Sequence, residues 1–146
     1  MAIIKEFQGE YRWLSNFATV DILHDEILYP SVEHAWVASK NTDVNWKRKC
    51  AASIHPSLVK KMGDDVDLRE DWDEVKETIM KELLILKFNQ EPFRTKLIET
   101  GNDYIMEGNW WGDKFWGYCL QKNEGRNLLG GMIMGIRLEL IKSRVD

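Results

Sequence analysis

The stretch DWDEVKETIMKELLILKF, residues 71–88, decides the fold class. Trp72, Val75, Ile79, Leu83 and Leu86 recur at the three- and four-residue spacing that lines up side chains on one face of an α-helix. Working outward toward the C-terminus, Pro92 opens a further helix that Gly101 ends through its tolerance of left-handed backbone. A last helix is expected from about Asn127 to Lys142, with Leu129, Met132, Ile133, Ile136 and Leu140 facing inward. Toward the N-terminus, Ser31 caps a helix reaching about Asn41, and Asp43 caps another reaching about Ala52. Pro56 starts a third, closed by Gly63. Residues 2–7 and 18–29 read as short strands, the second a hairpin turning at His24-Asp25-Glu26. Some six helices and a few strands that do not alternate with them imply an α+β fold. The expectation is a single compact, mainly helical domain over residues 1–146 with a small antiparallel sheet.

The totals exclude several classes. A net charge of −4 and a pI near 5.5 argue against a dedicated nucleic-acid binder, which needs a broad basic footprint. The run Lys47-Arg48-Lys49 is read as a solvated helix face. No apolar stretch approaches the ~18–20 residues of a membrane span, and MAIIKEFQGEYR has no leader-like core. Cys50 and Cys119 form no CxxC pair, which fits a reducing, cytoplasmic setting. The seven tryptophans are unusual, because rings of that size fill either cores or recognition surfaces.

Three of those tryptophans crowd into EGNWWGDKFWG, residues 107–117. Trp110, Trp111 and Trp116 offer flat faces around Asp113, while Gly108, Gly112 and Gly117 permit tight turns and close backbone approach. Either this is a core turn or it is a site for a planar, sugar-bearing ligand. Downstream, NEGRNLLGG leads into the last helix, whose first N–H groups could receive an anion or a sugar hydroxyl.

Two further stretches carry candidate chemistry. In YPSVEHAWVASK, residues 29–40, helical spacing places Glu33, Trp36 or Val37, and Lys40 along one side. Glu33 falls in the first helical turn, where the dipole favours its charged form, which suits a base or electrostatic stabiliser. In GEYRWLSNF, residues 9–17, Arg12 beside Trp13 could hold a phosphate, with Ser15 and Asn16 as polar contacts. The rival for that segment is an edge strand with Trp13 and Phe17 in the core. His24, His34 and His55 lack zinc-site spacing, and neither a GxSxG elbow nor a reactive-cysteine motif occurs. His34 is expected to pack and hydrogen-bond. The remaining carboxylates, amides and aromatics suit hydrolysis through a cationic, sugar-centred transition state.

Taken together, GEYRWLSNF, YPSVEHAWVASK, the residue 71–88 helix, LIETGNDYIMEGNWWGDKFWG and GRNLLGGMIMGIR resemble the NADAR, or YbiA-like, family. The resemblance implies a compact α+β fold and N-glycoside hydrolysis. Some members are linked to phosphoribosylamino-pyrimidine intermediates of riboflavin synthesis, others to NAD and ADP-ribose metabolism, including removal of ADP-ribose from guanine in nucleic acid. Expected partners are therefore a nucleotide or ADP-ribosyl small molecule, or ADP-ribosylated nucleic acid, and no membrane. No metal or redox cofactor is implied.

The family's motif glutamate and WGD aspartate fall on Glu33 and Asp113, the catalytic candidates, whose roles stay interchangeable here. Its other motif positions fall on Asn16, Lys40, Trp111, Gly112, Trp116 and Asn127, which join Arg12, Trp13 and Trp36 as substrate-binding candidates. EHAWVASK lacks the glutamine usual in EHxxQxxK, and Glu124-Gly125-Arg126 reverses the usual order before Asn127. The expected activity is an N-glycosidase. The alternatives are a non-catalytic ADP-ribose or NAD sensor and a structural protein whose tryptophans are core.

Overall fold

Local capping chemistry starts the α-helices at Val32, Val44 and Pro56 where the sequence places them. The structure is a computed structural model and describes residues 2–145. In chain order its elements are β1 (Ile3–Ile4), a 3-10 helix (Gly9–Leu14), β2 (Ile22–His24), β3 (Ile27–Tyr29), α1 (Val32–Ala38), α2 (Val44–Ala51), α3 (Pro56–Met62), α4 (Trp72–Phe88), α5 (Phe93–Glu99), β4 (Tyr104–Ile105), β5 (Gly108–Asn109), β6 (Tyr118–Cys119) and α6 (Leu128–Val145). The Ser31 hydroxyl accepts from the His34 N–H at 3.1 Å to cap α1, and Asp43 accepts from the Asn45 N–H at 2.7 Å to cap α2. Pro56 opens α3 as expected, with His55 Nδ1 supplying the cap to Ser57 N–H. The chain divides into two compact units: Asn16–Lys87, and the residues before Asn16 together with those after Lys87.

In the Asn16–Lys87 unit, the β2–β3 hairpin pairs Ile22 with Tyr29 and turns through Asp25 and Glu26, both at positive φ. Helix α1 packs against α2, α3 and the hairpin. Its Trp36 ring lies 4.7 Å from that of Trp72 at the start of α4, and Trp46 donates its indole N–H to the Val37 carbonyl at 3.2 Å. The buried stripe of α4 runs through Trp72, Ile79, Met80, Leu83, Leu84 and Lys87, while Val75 and Leu86 are only partly covered. A lysine thus occupies a core position. Burial lowers the Lys87 pKa to about 7.

In the other unit, α6 buries Leu129, Ile133, Ile136 and Leu140, and packs on α5 and β4. Its Arg137, also buried, donates to the Thr100 hydroxyl at 2.9 Å. The small antiparallel sheet is the β2–β3 hairpin alone. The other two ladders, β1 with β4 and β5 with β6, are parallel, because each joins segments that return from a distance rather than across a tight turn. Of the strand expected over residues 2–7, only Ile3–Ile4 is in a ladder, against an equally short β4. The segment after Gly9, which has φ +58°, coils into 3-10 turns instead of an edge strand.

Candidate functional site

In the Asn16–Lys87 unit the first turn of α1 holds Glu33 against Asn16, while Lys40 follows the far end of that helix. The Glu33 N–H donates to the Asn16 carbonyl at 3.1 Å, so one of the amides that would otherwise present the helix dipole is already engaged. Asn16 Nδ2 points to Met80 Sδ at 3.7 Å, whereas its Oδ1 is buried and accepts no hydrogen bond among the described residues. Glu33 keeps some exposure, yet burial of its carboxyl pushes the pKa up to about 7, against the pull of Lys60 and then Lys40. Desolvation thus opposes the charged form that the helix dipole favours. The helix is only seven residues long, and its Glu33 and His34 N–H groups already have partners.

Lys40 donates to the Gly63 carbonyl over a long 3.5 Å, which ties the end of α1 to the end of α3. Lys60, on α3, holds its ammonium 5.9 Å from the Phe17 ring centroid. Sequence reasoning missed Lys60 and read Phe17 only as a core residue of an edge strand. Helical periodicity reports positions on one element, and Lys60 reaches Glu33 from another. Trp36 faces inward, 8% exposed, onto Trp72. His34 packs as expected. Its Nε2–H must donate to the Ser53 carbonyl at 3.0 Å, since a carbonyl only accepts, leaving Nδ1 to accept from Ser31 at 2.6 Å. Burial depresses its pKa, which keeps it neutral.

In the other unit the tryptophan loop is no core turn. Trp110 and Trp111 are 59% and 67% exposed, and Trp116 is partly exposed with its ring edge-on to Phe115 at 4.9 Å. Asn109 organises the loop. Its buried Oδ1 accepts from the Gly112 and Asp113 N–H groups at 3.1 and 3.0 Å, and its Nδ2 donates to the Asp113 and Tyr118 carbonyls at 2.8 and 3.3 Å. Asp113 then turns the chain again, Oδ1 accepting from Phe115 and Trp116 N–H at 3.1 Å each. Gly112 has φ +91°, a backbone that favours glycine. At Gly117 a Cβ would stand 2.5 Å from the Glu107 carbonyl oxygen, so the close approach that glycine permits here is to the chain itself. Asn109 was legible only as a polar residue flanking the tryptophans.

The first two N–H groups of α6, expected to be open to an anion or sugar hydroxyl, are instead engaged within the chain. Leu128 and Leu129 donate to the Phe115 and Trp116 carbonyls at 3.2 and 2.9 Å. Asn127, buried with φ +50°, holds the strand before it: Oδ1 accepts from Glu107 N–H at 2.9 Å and Nδ2 donates to the Ile105 carbonyl at 2.9 Å. Arg12 is exposed on the 3-10 helix, and Trp13 beside it lies 5.9 Å under the Lys96 ammonium. Among the described residues no group of three or more His, Cys, Asp or Glu could hold a metal ion, and no helix is long and apolar enough to cross a membrane.

Comparison with known proteins gives the family and the fold. The NADAR domain family profile matches residues 4–141. The chain is 31% identical over 138 residues to N-glycosidase YbiA of Escherichia coli, covering 90% of this chain and 82% of that protein. It is 29% identical over 131 residues to the riboflavin biosynthesis protein VVA0006 of Vibrio vulnificus, covering 88% of this chain and 35% of that longer protein. The NMR structure of E. coli YbiA superposes with a TM-score of 0.88 at 29% identity, over 99% of this chain and 88% of that one, which agrees with the α+β fold. This chain belongs to the NADAR domain family, among relatives that carry the name N-glycosidase.

Proposed function

We propose that the protein is an N-glycosidase that hydrolyses the bond between a nitrogen and the anomeric carbon of a phosphoribosyl or ADP-ribosyl group. The observation that carries this is the Glu33 carboxyl in the first turn of α1, its N–H tied to the Asn16 carbonyl beside the buried acceptor Asn16 Oδ1, with burial raising its pKa to about 7. Hydrolysis places a water oxygen on the anomeric carbon. The C–N electron pair leaves on nitrogen, and one proton moves from water to that nitrogen. A carboxyl titrating near neutrality can give the nitrogen its proton and recover one from the attacking water. Once ionised, it also stabilises the positive charge that builds at the anomeric carbon. This makes Glu33 the proton-handling group. Asp113, its Oδ1 fixed by two amides, takes the role of a ribose-hydroxyl anchor. The buried acceptor Asn16 Oδ1 suits a ligand hydroxyl or N–H. Trp111 and Trp116 supply faces for the base or sugar.

Kinship with N-glycosidase YbiA supports the reaction type, and similarity to a protein named for riboflavin biosynthesis supports a phosphoribosylamino-pyrimidine as one substrate. The test is incubation with a phosphoribosylamino-pyrimidine, NAD and ADP-ribosylated guanosine, free and in DNA, with released base read by mass spectrometry. Base release from at least one is expected. Saturable binding with no release from any would instead identify a nucleotide-binding module.

A further inference from the structure

The Glu33 cluster is more positive than its chain. The whole sequence carries −4, yet the charges acting on Glu33 are two ammoniums, Lys60 from α3 and Lys40 from the end of its own helix segment. Even with Glu33 ionised, that group of three stays net positive. The two cations are held differently. Lys40 is partly buried and directed at the Gly63 carbonyl at 3.5 Å. Gly63 itself sits so close that a Cβ there would be 3.0 Å from Val37 Cγ1 and 3.3 Å from Lys40 Nζ, so α3 is seated directly on α1. Lys60, three residues before Gly63, is exposed and rests over the Phe17 ring. Phe17 follows Asn16, the residue whose carbonyl receives the Glu33 N–H. The Lys60 ammonium thus lies over the ring of the residue next to Asn16, and its charge acts on Glu33.

We propose that Lys60, carried on the face of Phe17, is a specificity residue that receives a phosphate group of the substrate beside Glu33. This rests on the N-glycosidase reading and deepens it by naming what distinguishes a phosphorylated riboside from a plain one. An ammonium is a compact point charge, which suits a phosphate without demanding a fixed fork geometry. The neighbouring buried acceptor, Asn16 Oδ1, cannot bind phosphate and suits a hydroxyl, so cation and acceptor divide the two polar parts of a phosphoribosyl group. Binding a phosphate here also brings negative charge toward Glu33. That favours its protonated form in the complex, the form able to protonate the leaving nitrogen.

The test compares wild type, Lys60→Gln and Lys60→Arg. Substrates are a phosphoribosylamino-pyrimidine, its dephosphorylated riboside and ADP-ribosylated guanosine. Calorimetric titrations with ribose 5-phosphate and with ribose run alongside. Lys60→Gln is expected to raise the ratio of KM for the phosphorylated compound to KM for the riboside at least tenfold, with Lys60→Arg restoring most of it. The same variant should weaken ribose 5-phosphate binding at least tenfold relative to ribose. The ADP-ribosyl arm reports whether the phosphate is that of a monoester or a pyrophosphate, by which KM moves. An equal loss on phosphorylated and dephosphorylated compounds, or none on either, overturns the assignment. If wild type releases no base from any compound, the glycosidase reading falls, and the ribose 5-phosphate titration alone decides Lys60.

Discussion

Replacing Glu33 with glutamine separates chemistry from folding, because the two should respond in opposite directions. The carboxyl titrates near 4.5 in an unfolded chain and at about 7 in the fold. Its folded pKa is raised, so its contribution to stability is fully present below about pH 4.5 and is lost as pH rises through about 7. At ~1.4 kcal/mol per pH decade, the lost stability reaches about 3 kcal/mol above pH 8, and partial exposure of Glu33 trims this to about 2 kcal/mol. Glutamine keeps the shape and never ionises. Glu33→Gln should therefore gain about 2 kcal/mol over wild type in going from pH 4.5 to pH 8.5, whatever constant cost the amide carries at both. Turnover should fall by ~10²–10⁴-fold, as for loss of a positioned acid–base group. Denaturant unfolding of both proteins at the two pH values, beside base release at pH 7, provides the measurement. A stability difference that does not change with pH would refute desolvation of Glu33. Wild-type turnover by the folded variant would remove it from the mechanism.

Trp111→Ala should lower stability by no more than about 1 kcal/mol, since the ring is largely exposed, while ligand affinity measured by titration falls; a deep loss of melting temperature with affinity intact would mark the ring as structural. Asn109→Ala removes four hydrogen bonds to the loop and should cost roughly 2–4 kcal/mol by denaturant unfolding, because buried partners are left unpaired; a near-neutral result would show that the loop holds itself. The Lys87 pKa is lowered by burial to about 7, so stability linked to it is present above the unfolded value of 10.5 and is lost as pH falls through about 7. Lys87→Met should flatten that decline in melting temperature between about pH 10 and 7, and an unchanged slope would show that the ammonium is satisfied in place.

Much of the frame was legible because its causes are local. Ser31, Asp43 and Pro56 act on amides within a few residues, and the Asp25-Glu26 turn needs nothing beyond its flanking strands. The site residues Asn16, Glu33 and Lys40 were likewise visible as polar groups in fixed motifs. Their electrostatics were not. The helix dipole is a property of α1 alone, whereas the desolvation that opposes it comes from neighbours that sequence periodicity does not relate to Glu33, and so does the Lys60 charge. The parallel ladders escaped for a similar reason, as Ile3 pairs with Tyr104 and no short-range pattern encodes that partner. Lys87 sits at the helical spacing of the apolar stripe, but its charge hid it. The tryptophans were the reverse case: their composition was plain, and only the fold could say which rings face solvent.

The carbonyls of Phe115 and Trp116 cap the first two amides of α6, so the tryptophan loop and the longest helix are mechanically one piece. A loop held in this way does not behave as a flap. Amide hydrogen exchange at Leu128 and Leu129 should report the loop's opening, and loop and helix should open together rather than in sequence. For protein engineering this splits the segment into two classes of position. Trp110 and Trp111, at the solvent-facing tips, are open to libraries that vary the ring offered to a ligand. Asn109, Asp113 and Gly117 form the frame beneath, and diversity introduced there would be selected for folding before it could be selected for substrate.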